Sequence, residues 1–263
     1  MVRRKKRNAA TPVILTLSLI SAAILIILIG MIFGMSYQTL DNGIKFFGKS
    51  SGGEPFKGTA YYETGKAEYD KEAGTLIYEN GDKYEGEVKD LLPDGKGKMT
   101  FASGDIYQGD FVKGEFSGQG IFLYANGDRY EGEFKNGVRH GQGTYTAKDG
   151  TGYTGNFVEN MKNGIGTLVY SDGSFYEGSF MNDMKNGQGK MVFASGDIYE
   201  GSFVNNIREG QGSYTWASGD HYTGGFVNGK LHGQGTYTWA KKDGEEPRSF
   251  TGFFKDGNLV LEP

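Results

Sequence analysis

The chain contains no cysteine and only 5 prolines among its 263 residues. Without cysteine there is no disulfide framework, no thiolate zinc site and no thiol nucleophile, so small disulfide scaffolds, zinc ribbons and cysteine hydrolases are excluded. The scarcity of proline rules out collagen-like and proline-rich linker architectures. Acidic residues are missing from the first 36 positions, which hold Arg3, Arg4, Lys5, Lys6 and Arg7. The rest of the chain then carries 23 Lys+Arg against 32 Asp+Glu, a net of −9. An acidic body argues against nucleic acid as a partner, because that affinity rests on cation–phosphate contacts. What the chain has in excess is glycine, 45 residues, together with 17 Tyr, 18 Phe and 2 Trp. Many turns and many aromatic strands follow from that pairing; a disordered low-complexity chain would lack the rings.

Val13 to Met35 is uncharged. As a helix it would extend about 34 Å, enough to cross a bilayer. The run is longer than the apolar part of a cleaved signal peptide, and the basic cluster precedes it. The expectation is a transmembrane signal-anchor helix over 13–35, with residues 1–12 a basic cytoplasmic segment and the body outside the cytoplasm. Residues 36–55, rich in Gly and Ser with Pro55, read as a flexible tether. Phe46-Phe47 fits either the lipid interface or the underside of a first strand.

Beyond the tether one spacing dominates. Tyr84, Tyr107, Tyr130, Tyr153, Tyr176, Tyr199 and Tyr222 are each 23 residues apart, with a glycine two residues after each Tyr. Four residues after each stands Phe, or Val88 in the first case, and a Gly-x-Gly follows, as in Gly141-Gln142-Gly143. Period-two alternation puts Tyr130, Gly132 and Phe134 on one face and Glu131 and Glu133 on the other. In the second strand Gly143, Tyr145 and Ala147 share the ring-bearing face while Thr fills the alternate positions. Each unit therefore reads as a β-hairpin whose glycines leave room for neighbouring rings. Asn136-Gly137 and Asn126-Gly127-Asp128 supply the turns.

The pattern Tyr-x-Gly-x-Phe-x-x-Gly-x-x-His-Gly-x-Gly, complete from Tyr130 to Gly143 and from Tyr222 to Gly235, resembles the MORN repeat family. The resemblance covers residues 56 to about 260. It implies an all-β fold: an elongated, single-layer antiparallel sheet of tandem β-hairpin repeats over 56–263, after one transmembrane helix. Full units start at 84, 107, 130, 153, 176, 199 and 222, with partial units at 56–83 and 250–263. Leu91, Asn160, Asp183 and Asn206 depart from the pattern where a turn glycine is usual.

Little here suggests chemistry. Asp82, Asp105, Asp128, Asp197 and Asp220 recur at one turn position of separate hairpins and so cannot act as a carboxylate pair. His140, His221 and His232 are not placed to share a metal, and the glycine runs lack the Lys-Ser/Thr and helix of a phosphate loop. Catalytic residues, metal and cofactor are accordingly expected to be none, and an enzyme is not expected; family members that are kinases owe that activity to an added domain. The expected function is a membrane-tethered, extracytoplasmic scaffold whose aromatic face binds a protein partner or a cell-envelope polymer, with a homo-oligomer left open. The candidate binding residues are the additional rings Phe101, Tyr124, Tyr170, Phe193, Trp216 and Trp239. The alternative, which the resemblance implies, is a phospholipid-binding module at the membrane surface; the acidic body weighs against it.

Overall fold

The computed structural model describes Leu28 and residues 31–241 and 248–260. Most of the expected anchor, Val13 to Met35, lies outside the described residues, as does the basic segment 1–12. Among the described residues no helix is long and apolar enough to cross a membrane. The chain forms two compact units, Met1–Ala102 with Val112–Gly114, and Ser103–Phe111 with Glu115–Pro263.

The first unit holds β1 (Met35–Thr39), β2 (Lys45–Ser51), β3 (Glu54–Tyr62), β4 (Gly65–Asp70), β5 (Thr75–Tyr78), β6 (Lys83–Lys89) and β7 (Leu92–Thr100). Each pairs antiparallel with the next in sequence. The second holds β8 (Ile106–Val112), β9 (Glu115–Leu123), β10 (Arg129–Lys135), β11 (Val138–Thr146), β12 (Gly152–Val158), β13 (Met161–Val169) and β14 (Phe175–Met181). It continues through β15 (Met184–Val192), β16 (Ile198–Val204), β17 (Ile207–Thr215), β18 (His221–Val227), β19 (Lys230–Thr238), β20 (Ser249–Lys255) and β21 (Asn258–Val260). From β9 to β21 every strand pairs antiparallel with its sequence neighbour. The fold is thus all-β and built of open antiparallel meanders.

Residues 36–55 are not a free tether, because β1 and β2 fall within them and β2 pairs with β3. The cause is a local copy of the repeat motif, Phe46-x-Gly48. Phe46 is fully buried, and a side chain at Gly48 or Gly58 would run into its ring. Phe46 therefore plays the part that Tyr plays downstream, and the hairpin array starts before residue 56.

Within each repeat hairpin the register slips after the paired glycines. Gly132 faces Gly143 while Phe134 faces Arg139, and the same shift separates Gly155 from Phe157 and Gly178 from Phe180. The two extra residues on the second strand form a bulge, which sharpens the local twist. Tight turns close the hairpins through two consecutive positive φ angles, 50° at Asn136 and 77° at Gly137, as two-residue hairpin loops demand. Leu91 takes the second of these positions at φ 62°. Its burial to 2 % exposure and the bond from the Tyr62 hydroxyl to its carbonyl at 2.7 Å offset the steric cost of that conformation.

Candidate binding face

The pairing Tyr130↔Tyr145 and Gly132↔Gly143 puts the first-strand Tyr, Gly and Phe on the same face as the second-strand glycine and ring. The expected division of faces holds, with Tyr130 and Phe134 buried and Glu131 exposed. The rings form one continuous ladder in the second unit. Tyr130 meets Phe134 of its own repeat and Phe157 of the next, Tyr153 meets Phe157 and Phe180, and the alternation continues to Tyr222 and Phe254. Successive centroids lie 5.0–5.5 Å apart at 79–89°, the edge-to-face geometry that aromatic quadrupoles favour.

Each Tyr also has a polar task. Its hydroxyl donates to the carbonyl three residues on, Tyr130 to Glu133, Tyr176 to Ser179 and Tyr222 to Gly225, at 2.7–3.1 Å across seven repeats. That carbonyl sits where the bulge interrupts the ladder, so the phenol satisfies an acceptor that strand pairing leaves over. Burial pushes the hydroxyls of Tyr130, Tyr153, Tyr176 and Tyr199 up to about 12, and they remain neutral donors.

Over the ladder lies a row of residues nine positions after each Tyr. In the second unit these are Phe116, Arg139, Lys162, Lys185, Arg208 and Leu231. Phe116 stacks on Tyr107 at 3.9 Å. Four consecutive repeats use a cation instead. Arg139 lies 5.7 Å from the Tyr130 ring and 5.3 Å from Phe157, Lys162 lies 5.8 Å from Tyr153, Lys185 lies 5.5 Å from Tyr176, and Arg208 lies 5.6 Å from Tyr199. Their stems and cation–π contacts cover the rings, as long basic side chains can while keeping charge at the surface. Chemical variety hides this row in the sequence; a search for constant spacing regardless of residue type would have found it.

The recurrent aspartates are turn residues, as the spacing implied, and they also join one repeat to the next. Asp105 Oδ1 accepts from Ala125 N, Asp128 from Lys148 N, Asp197 from Ala217 N and Asp220 from Ala240 N, at 2.7–2.9 Å. The second oxygens of Asp128, Asp197 and Asp220 accept the hydroxyls of Tyr145, Tyr214 and Tyr237. Backbone donors hold the carboxyls of Asp105, Asp197 and Asp220 below the ordinary range, and the Tyr145 hydroxyl does so first for Asp128. A carboxyl whose pKa is lower folded than unfolded contributes stability that is fully present above its unfolded value, and that is lost as pH falls through the folded value. The thermal midpoint, followed by circular dichroism, should therefore drop on acidification below about pH 4. Replacing Asp128, Asp197 and Asp220 by Asn should flatten that acid limb; an unchanged limb would deny these carboxylates the role.

The six candidate rings stand just past the strand ends. Trp239 is 41 % exposed and the other five are half-buried. Phe101 belongs to the first unit. Tyr124 lies 4.5 Å from Phe122 and 6.3 Å from Tyr145, and Tyr170 accepts a bond from Lys185 Nζ at 3.2 Å. The remaining three join a ribbon with two tyrosines that the sequence reading did not select. Phe193 is 6.1 Å from Tyr214, Tyr214 is 4.7 Å from Trp216, Trp216 is 5.2 Å from Tyr237 and Tyr237 is 5.1 Å from Trp239. Arg208 lies 5.1 Å over Tyr214 and Arg248 lies 5.3 Å over Trp239. Asp197 and Asp220 hold two of these rings, accepting the hydroxyls of Tyr214 and Tyr237. Among the described residues no group of three His, Cys, Asp or Glu is placed to hold a metal.

The family model described as MORN repeat matches seven consecutive segments, 84–106, 107–129, 130–152, 153–175, 176–198, 199–221 and 222–244. No curated protein matches the chain. Among solved structures, the TCP domain of SAS-4 from Drosophila melanogaster is 14 % identical, covering 67 % of this chain and 88 % of its own, at a TM-score of 0.37. The TCP10 domain of CPAP from Danio rerio is 14 % identical over 77 % of this chain and 92 % of its own, at 0.33. A streptogramin B lyase is 12 % identical over 85 % of this chain and 84 % of its own, at 0.16.

Proposed function

The chain belongs to the MORN repeat family, and from that premise we propose that it is a binding scaffold whose ring-bearing face takes a protein partner or a cell-envelope polymer. The observation that carries this reading is the ribbon from Phe193 to Trp239, a run of partly exposed rings in which Tyr214 and Tyr237 are hydrogen-bonded to Asp197 and Asp220. Rigid aromatics expose contact area at little cost in conformational entropy on binding. Repetition adds to it, since a ligand that touches several units gains from each. The uncharged run from Val13 supports a tether to the membrane, and the basic cluster before it supports an extracytoplasmic array.

An anionic lipid surface is the second reading, and the cation row Arg139, Lys162, Lys185 and Arg208 favours it locally against the net acidity of the body. One experiment separates the two. The full chain, held in nanodiscs of neutral lipid, is offered anionic vesicles and, separately, a solubilised envelope extract. Retention of an extract component, lost on Trp216→Ala with Trp239→Ala while the circular dichroism spectrum stays unchanged, is the expected result. Tight, salt-sensitive vesicle binding with nothing retained from the extract would replace the scaffold with the lipid reading. A cysteine introduced at Ser218 and labelled in intact cells by an impermeant maleimide checks the orientation; labelling only after lysis would refute it.

A further inference from the structure

Independently of the ring-bearing face, we infer that the chain pairs with a second copy of itself through the outer edge of β1, strand against strand about a two-fold axis at Tyr37. Among the described residues β1 pairs on one side only, with β2. An open strand edge offers a row of N–H and C=O groups to any extended chain, and proteins protect such edges with charge, proline, a bulge or brevity. β1, Met35–Thr39, has no charged residue and no proline, and its pairing with β2 runs without a register shift. The edge at β21, which pairs only with β20 among the described residues, spans three residues and is protected by brevity.

The backbone fixes which groups this edge presents. Leu40 N donates to the Ile44 carbonyl at 2.9 Å, closing the turn between β1 and β2. Inward and outward groups alternate along an antiparallel strand, so Ser36 and Gln38 turn their N–H and C=O toward β2. Met35, Tyr37 and Thr39 turn theirs outward, and these positions are symmetric about Tyr37. A second β1 laid antiparallel therefore pairs Tyr37 with Tyr37 of the copy, and Met35 with the copy's Thr39, using every outward donor and acceptor. Any slip of two residues leaves part of the edge unpaired.

The side chains accept the same symmetry. Tyr37, 47 % exposed, would stand against Tyr37 of the copy as a directly opposed aromatic pair, which is favourable across strands. On the face shared with Phe46, Ser36 would meet the copy's Gln38. Both already bond to Ser50 Oγ, at 2.6 and 3.1 Å, and an amide and a hydroxyl retain capacity for one bond more. The charges in register with β1 are Lys45 and Lys49 of β2, opposite Thr39 and Met35. Across the joint, Lys49 and the copy's Lys45 would be three strand spacings apart, about 14 Å, beyond the ~8 Å over which exposed charges act at physiological salt. An uncharged edge that is complementary to itself at each position suits a second copy, and such an isologous contact closes at two. Head-to-tail growth through β21 would leave two of the five β1 positions without a partner strand.

Sedimentation equilibrium of the full chain in density-matched detergent micelles tests this, and a monomer–dimer equilibrium is expected. Tyr37→Lys and Tyr37→Glu each set two like charges on the axis and should weaken the dimer about tenfold. An equimolar mixture of the two variants should return the affinity to within about threefold of the unsubstituted chain, because opposite charges then meet. Restoration by mixing is a result that mere damage to β1 would not give. Tyr37→Pro removes an outward N–H and none that bonds to β2, as edge strands tolerate, and should abolish the dimer while the circular dichroism spectrum is retained. A monomer at every concentration would overturn the inference. So would a dimer indifferent to charge at position 37, which would place the contact elsewhere in the chain. Retention of an envelope component that is lost in the Tyr37 variants, with the chain itself monomeric, would give the edge to a different partner and overturn the second copy.

Discussion

Gly132→Val should destabilise the protein by about 3 kcal/mol, the upper end of what overpacking costs. A Cβ at Gly132 would stand 2.5 Å from Gly143 Cα, 2.6 Å from the Gln142 carbonyl oxygen and 2.7 Å from the Tyr130 hydroxyl. Two of those three atoms are backbone of the paired strand, so no rotamer change relieves the clash. The substitution must part β10 from β11 or lift Tyr130 off the glycines, and lifting Tyr130 strands the Glu133 carbonyl at the bulge. Glu131→Val, one residue away on the exposed face, loses only a surface pair with Arg129 and should cost within about 0.5 kcal/mol. Chemical denaturation of the two variants makes the comparison; equal losses would mean that the faces are assigned the wrong way round.

Tyr176→Ala should cost still more, about 3–5 kcal/mol, as for other buried aromatic truncations. Its ring is fully buried and stands edge-to-face with Phe180 and Phe203, both within 5.1 Å, with Lys185 above it. Removal breaks the ladder at its middle and exposes the two phenylalanines and the Lys185 stem together. In an array where each repeat is held by its neighbours, that break should also separate the unfolding of the flanking repeats, visible as a broadened or two-step transition. Tyr176→Phe keeps the ring and loses only the bond to the Ser179 carbonyl at 3.0 Å, so about 1 kcal/mol is expected. A Phe variant as unstable as the Ala variant would move the source of stability from ring packing to the hydroxyl.

The fold was legible because its signal is repetition of residue identity. Tyr, Gly and Phe at constant offsets reported the strands, and period-two alternation around Tyr130 reported the faces. The places that sequence reasoning missed are those where spacing persists but identity does not. Residues 36–55 looked like a tether because Gly and Ser are frequent there, yet Phe46-x-Gly48 uses Phe in place of Tyr and still buries its ring against Gly58. The row Phe116, Arg139, Lys162, Lys185, Arg208 and Leu231 shares only the capacity to cover a ring. The aspartates could be placed in turns from their neighbours, but their bonds reach 20 residues on, to Ala125, Lys148, Ala217 and Ala240, and no local turn rule describes a contact with the following turn. At the candidate site, the offsets mark Phe193, Trp216 and Trp239 but not Tyr214 and Tyr237, whose place in the ribbon depends on bonds to Asp197 and Asp220, each 17 residues away in sequence.

On the proposed function, the ring-bearing face and not the opposite one meets the partner. A photo-crosslinking amino acid placed at Phe193 in the ribbon, and in a second variant at Val169, 42 % exposed on the face that alternates with the rings, tests it in intact cells. Adducts of discrete mass from the Phe193 variant and none from the Val169 variant are predicted; adducts from Val169 alone would contradict the assignment of the binding face.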